Sequence, residues 1–455
     1  MQLHDRLYTG LVQTALLPLG DRLFGQRMMA RLALLRQAQW WDAARLIAHR
    51  DGALRQIVRT VYDQVPYYKQ AFDDARVRPD DVRTAADLQR LPLLTKTILR
   101  AHPIEQFTRP TGQSTYDSCS SGSTGAPLCV REDADTAGWY RASFMLALDW
   151  MGWTPGLPHL QTGISLKRSR GRWLKDVMLR CHYVSAYDLT DAHLDSILDR
   201  MEKHKIDFLM GYPGSLYYLA RRAAQRGWSR PLIGAATWGD NLYAHYRQAI
   251  ERAFQTRVTD TYGIGEGVQV AAQCGQGMHY HIHSLDTIVE YLDDAGAPVP
   301  IGQVGNLVVT RLHAGPMPLI RYQVGDIGIS GGWRRCACGR GFEIMESVQG
   351  RDTDVITTPS GNRLIVHFFT GILEYFPQIE VFQVRQEQPD AVRLLIVPTA
   401  DYTAAIGETI LSQLREMGAD IAIAIELVDA IPTAASGKRR FVINTLAQST
   451  AATQP

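Results

Sequence analysis

Apolar residues recur along the chain first at helical spacing, then in short alternating blocks of strand and helix. Met28, Leu32 and Leu35 fall at i, i+4 and i+7, the stripe of an amphipathic helix. Residues 54–100 keep a helical pattern punctuated by Pro66, Pro79 and Pro92, with Pro103 just beyond. Leu128–Val130 reads as a strand and Asp133–Met151 as a helix carrying Trp139, Tyr140 and Phe144. Further on, Asp195–Lys203 predicts a helix, Ile206–Met210 a buried strand and Leu216–Arg226 a helix; Leu232–Trp238 and Leu242–Phe254 continue the alternation. Val304–Arg311 reads as a strand after the turn Asp293–Pro300. Alternation of this kind predicts an α/β fold with ligands at the carboxyl ends of strands. Ile379–Ala400 and Ile421–Val428 are strand-like around a helix Tyr402–Met417, which sets off a small α+β domain from about Asp352 to Asn444.

Composition narrows this only a little. The 455 residues are enough for two or three domains, and a net charge of +2 gives no field that would draw nucleic acid. Six cysteines in so long a chain make no disulfide framework, so a reducing cytoplasm is the simpler setting, with Cys119, Cys129 and Cys181 read as packing. No apolar run is long enough to span a bilayer, and no secretory leader pattern is expected. Residues 1–50 carry seven arginines against Asp5, Asp21 and Asp42. The helix there is read as packed on the domain, with a dimer contact or a membrane-surface helix as the sharper readings. The densest basic run, Lys167–Lys175, is read as a solvated loop, or else as a landing site for the phosphates of coenzyme A or an acidic carrier protein.

Chemistry concentrates elsewhere. Ser120-Ser121-Gly122-Ser123-Thr124-Gly125 combines hydroxyls and glycines without charge, ahead of a strand, and reads as a polyphosphate cradle, although the Walker pattern is absent. Downstream come Thr261-Tyr262-Gly263-Ile264-Gly265-Glu266, Arg321–Asp326, Gly350–Asp354 and Thr433–Arg439. In this order and spacing the stretches resemble the adenylate-forming superfamily of acyl-CoA synthetases. Val65–Tyr68 through Leu91–Lys96 narrows the likeness to the phenylacetate-CoA ligase and CapK branch, from about Leu54 to Asn444.

The resemblance implies a large multi-sheet N-terminal α/β domain (54–350) and a small mobile α+β C-terminal domain (351–445). An amphipathic helical segment (1–53) precedes them and a tail (446–455) follows. It implies ATP, Mg²⁺ and coenzyme A, or phosphopantetheine on a carrier protein, as cofactors. The cradle then grips the departing phosphates, with Ala126 where relatives have a lysine; Glu266 holds Mg²⁺; Tyr262 with Gly263 flanks adenine; Asp326 and Arg351 hold the ribose hydroxyls. Gly239 and Asp240 take the place of a Gly-Glu beside adenine, with Trp238 unusual there. Lys438 matches the catalytic lysine, and Thr353, between Asp352 and Asp354, falls at the hinge. Tyr140, Phe144, Tyr212 and Pro213 are candidates for the acid pocket.

A second metal site is legible separately. Cys336 and Cys338 with Cys274 and one imidazole, His281 ahead of His279 and His283, would satisfy tetrahedral zinc; some relatives of this branch carry zinc in this region. The expected function is an ATP-dependent carboxylic acid ligase that forms an acyl-adenylate and then a thioester, on an aryl or arylacetic acid. The rivals are loading of an acyl carrier protein, a nucleotide hydrolase or phosphotransferase, and a degenerate nucleotide-binding partner protein.

Overall fold

A computed structural model describes residues 3–119, 128–163, 168–186, 188–351, 356–360, 363–364, 366–373, 376–417, 419–432 and 441–446. The cradle, the residues after Arg351 that include Thr353, and Lys438 lie outside these. The chain divides into two units. One holds Met1–Leu242, Tyr246–Val324 and Gly328–Ser347, and the other Tyr243–His245, Gly325–Ile327 and Val348–Pro455. The segment expected to stand apart as 1–53 therefore falls within the large unit, and the break comes at Val348.

The large unit opens with helices α1 (Leu3–Leu11) and α2 (Leu17–Phe24), joined by a π-helical turn Val12–Leu16 and ended by Gly25 at φ 63. In α3 (Met28–Ala38) the stripe Met28, Leu32 and Leu35 is buried. It packs with Trp139, Leu146, Leu285 and Phe342. Helices α4 (Ala43–Gln64) and α5 (Pro66–Asp74) follow; Asp42 caps the first and Pro66 pre-sets the first turn of the second. After α6 (Lys96–Ala101), strands β1 (Thr115–Cys119) and β2 (Cys129–Asp133) form an antiparallel hairpin. Cys119 faces Cys129 in its register, and Cys129 is disulfide-bonded, a departure from packing alone. Asp133 ends β2 and caps α7 (Ala134–Trp150), accepting from the Thr136 amide at 2.7 Å.

The central sheet has eleven strands. In chain order these are β3 (His159–Gly163), β4 (Cys181–Ser185), β5 (Phe208–Gly211), β6 (Gly234–Thr237), β7 (Val258–Ile264), β8 (Val268–Gln273), β9 (Tyr280–Ile282), β10 (Thr287–Leu292), β11 (Val304–Arg311), β12 (Tyr322–Gly332) and β13 (Ile344–Arg351). Helices α8 (Arg170–Met178), α9 (Asp191–Lys203), α10 (Pro213–Gln225) and α11 (Ala244–Phe254) punctuate the first of them. Strands β4-β3-β5-β6-β7 run parallel, and β8 onward turns antiparallel. Parallel strands flanked by helices are buried on both faces, as the all-buried β5 and β6 are. The basic run expected as a solvated loop is largely α8, because Ser169 accepts from the Arg172 amide and starts a helix.

The small unit has a hairpin, β14 (Ile356–Thr357) and β15 (Arg363–Leu364), then α12 (Val366–Leu373) and α13 (Ala404–Glu416). Its sheet, ordered β18-β17-β16-β19, is made of β16 (Ile379–Gln388), β17 (Ala391–Pro398), β18 (Ala422–Leu427) and β19 (Val442–Asn444). The strand-like stretch 379–400 is thus a hairpin. No helix among the described residues is long and apolar enough to cross a membrane.

Candidate active site

The carboxyl ends of the parallel strands converge, as doubly wound sheets dictate for ligand sites. Gly211 ends β5 at φ 149, where a Cβ would lie 1.9 Å from Thr162 Oγ1 at the end of β3. That hydroxyl accepts from the Tyr212 amide at 3.1 Å and lies 2.7 Å from Ser215 Oγ. Tyr212 and Pro213 are therefore fixed as β5 enters α10. Gly239, just past β6, has φ 77, and a Cβ there would be 2.8 Å from the Tyr212 ring. Only glycine lets the two turns approach so closely. Asp240 follows it on the same turn.

Tyr262 and Gly263 lie near the end of β7, where the Gln269 side-chain Nε2 donates to the Tyr262 carbonyl at 3.2 Å. Beneath them Asp260 is buried, accepting from Thr237 and from Tyr280 at 2.6 Å; burial pushes its carboxyl up to about 6 against those bonds. Glu266 sits in the β7–β8 turn, 8% exposed, and its Oε1 accepts from the Tyr322 hydroxyl at 2.5 Å. Tyr322 is fully buried. Glu132 on β2 comes to the same turn: a Cβ on Gly267 (φ 77) would lie 1.8 Å from its Oε1, which finds no hydrogen-bond partner among the described residues. Burial raises the Glu132 carboxyl, with Arg311 opposing.

On α7, Tyr140 and Phe144 lie one turn apart with parallel rings 6.3 Å between centroids. Phe144 meets the Trp238 edge at 5.2 Å. Phe144 and Trp238 pack against Met210 and Ala236, so α7 presents an aromatic wall to the β5 and β6 ends. Asp326 lies on β12 and Arg351 ends β13; both are grouped with the small unit.

The thiol and imidazole candidates also come together. Cys274 follows β8, His281 is on β9, and Cys336 and Cys338 belong to the loop before β13. Cys274 and Cys336 sulfurs are 3.7 Å apart, His279 Nε2 is 3.0 Å from Cys336 Sγ, and His281 Nε2 is 3.3 Å from Cys338 Sγ. The donor atoms of Cys274, His279, His281 and Cys336 lie within 4.8 Å of one another. The Cys338 amide donates to Cys336 and the Arg340 amide to Cys338, both at 3.4 Å. Burial pushes the Cys338 thiol up, but the bonds from His281 and Arg340 outweigh it and hold it well below the usual thiol range. His279 belongs to this group more directly than its place in the sequence suggested. His283 does not: β9 ends at Ile282, the alternation is lost, and the ring lies 5.9 Å from that of Trp150 instead.

A family model for the CapK C-terminal domain matches residues 356–445. The phenylacetate-coenzyme A ligase of Thermus thermophilus is 26% identical over 391 residues, covering 81% of this chain and 85% of its own. Protein CapK of Staphylococcus aureus is 23% identical, with 80% and 81% covered. Among solved structures, 2-hydroxyisobutyryl-CoA ligase in its postadenylation state with a bound acyl-adenylate superposes with a TM-score of 0.73 at 19% identity, over 92% of this chain and 94% of that one.

Proposed function

We propose that this chain belongs to the adenylate-forming superfamily, on the branch of the phenylacetate-CoA ligases and CapK, and is an ATP-dependent acid–CoA ligase. It joins a carboxylate to the α-phosphate of ATP, releases pyrophosphate, and passes the acyl group to coenzyme A. The observation that carries this reading is the convergence of Tyr212, Gly239–Asp240, Tyr262–Gly263 and Glu266 at one end of the parallel sheet. Gly239 lets two carboxyl-end turns press together, where a flat base would lie, and the buried carboxylate of Glu266 follows β7 at the same end of the sheet.

Glu266 would hold Mg²⁺, as one carboxylate plus phosphate oxygens commonly does, and the ion would offset charge on the phosphates. Tyr322 aims that carboxylate, as a donor behind a metal ligand commonly does. The pocket side is aromatic: Tyr140, Phe144 and Trp238 supply flat apolar surface, which favours an aryl or arylacetic acid. Acid-dependent pyrophosphate exchange across a panel of aryl, arylacetic and short aliphatic acids tests both statements. Exchange with none of them would refute the ligase reading, and exchange with only the aliphatic acids would refute the aromatic pocket.

The cluster at Cys274, Cys336, Cys338, His279 and His281 fits a structural zinc. Three thiols and two imidazoles offer more than the four donors a tetrahedral site needs, and amide donors already face two of the sulfurs. Held there, the metal would tie the β8–β9 turn to the loop before β13.

A further inference from the structure

Half of the large apolar side chains left exposed among the described residues belong to two short stretches of the large unit, the α1–α2 rod and α8. On the rod these are Leu7, Leu11, Leu19, Leu23 and Phe24; on α8 they are Trp173, Leu174 and Val177. Leu23 is 72% exposed, Phe24 71% and Trp173 60%. The opposite side of α1 is engaged. Thr9 and Val12 pack at Gly156, and Thr9 and Val12 are buried. The two stretches are also fastened to each other: Tyr8 donates to the Met178 carbonyl at 2.9 Å, and Arg180 pairs with Asp5 at 2.7 Å. The α1 end of the rod and the carboxyl end of α8 are thus neighbours on the surface, each stretch with its apolar side chains exposed.

Charge on the same stretches is one-sided. Arg6, Arg22, Arg27, Arg170 and Arg172 are exposed. Every acid of these elements is turned inward: Asp5 to Arg180, Asp21 to the Met28 and Met29 amides, and Asp176 to Arg168. Apolar surface this concentrated marks an interaction site. Its arginine fringe selects the partner. A second copy meeting patch to patch would oppose arginines to arginines, and the phosphates of a free soluble ligand would gain nothing from leucines and a tryptophan. A lipid surface bearing anionic headgroups satisfies both at once, with the apolar side chains entering the headgroup boundary and the arginines beside phosphates.

We infer that α1–α2 and α8 form a peripheral docking surface for an anionic membrane. The surface is independent of the catalytic reading. The full-length protein, sedimented with vesicles of phosphatidylcholine alone or with part of it replaced by phosphatidylglycerol, should pellet with the second and lose that binding as salt rises. A variant combining Leu23→Glu and Trp173→Glu should bind those vesicles at least about tenfold more weakly, because apolar insertion and headgroup attraction are both reduced. Both side chains are exposed, so its unfolding temperature and its pyrophosphate exchange on a soluble acid should match the parent. Failure to pellet with anionic vesicles would overturn the inference, and so would equal pelleting of parent and variant. A parent that is dimeric in solution, ignores vesicles and becomes monomeric in the variant would assign the patch to a second copy instead.

Discussion

Tyr322→Phe isolates the contact that aims Glu266. The substitution removes one hydroxyl from a fully buried ring and adds nothing, so shape is conserved. It leaves a carboxylate that is 8% exposed without the 2.5 Å donor on its Oε1. A hydrogen bond to a charged group contributes about 1.5–3 kcal/mol, so the free protein should unfold a few degrees lower. The larger effect falls on metal use. Loss of a group that orients a metal ligand typically changes metal affinity or activity about 10–100-fold, and the half-saturating Mg²⁺ in acid-dependent pyrophosphate exchange should rise by that factor. Excess Mg²⁺ should restore most of the rate, which a general loss of fold would not allow. A lowered unfolding temperature with unchanged Mg²⁺ dependence would make the hydroxyl structural only. No change in either would refute the account of Glu266.

Chelator-washed protein should retain close to one zinc per chain; His279→Ala and Cys336→Ser should lower that content, whereas His283→Ala should leave it intact, as elemental analysis would show. Lys438→Ala should lose about 10²–10³ in adenylation, yet still make thioester from pre-formed acyl-adenylate at a rate near the parent's; a parallel loss in both half-reactions would remove the lysine from the first step. Burial pushes Glu343 up to about 7, with Arg50 opposing. Its folded value lies above its unfolded one, so its contribution to stability is complete below the ordinary carboxylate range and is lost as pH rises towards about 7. Glu343→Gln should remove that dependence, on the order of 1–3 kcal/mol, and flatten the denaturation midpoint between those limits; a slope unchanged from the parent would refute it.

The layout of strand and helix from Asp195 to Phe254 was legible because its apolar runs are short and bounded by turn residues, and the turns at Tyr212, Gly239 and Glu266 were legible with it. Contacts between distant residues were not. Tyr322 reaches Glu266 across 56 positions, and Glu132 reaches Gly267 from another strand; neither pairing leaves a local pattern. The alternation His279, His281, His283 put His281 first but gave no sign that His279 joins the group and His283 leaves it, because the end of β9 at Ile282 is set by pairing with β8 and β13. In the stretch around Arg170–Lys175 the density of charge masks both the Ser169 cap and the apolar side of α8. The cysteine count says nothing of Cys129, whose bonding depends on the hairpin register.

The seam between α3 and the loop before β13 also sets the order in which the chain can finish folding. Gly341 donates to the Gln39 carbonyl at 2.8 Å, Arg340 donates to the Gln39 side chain, and Phe342 closes the cluster around Leu32 and Leu35. These partners lie 301 positions apart in the case of Arg340 and Gln39. At about 5–20 residues per second, a nascent chain waits roughly 15–60 s between emergence of the first partner and the second. During that interval the α3 stripe can be met by Trp139 and Leu146 of α7, but Leu285 and Phe342 are still missing from its cover. The amino-terminal helices, among the first residues made, thus receive the last of their cover late, and a ribosome-bound intermediate would leave part of this stripe open to chaperones before Phe342 emerges.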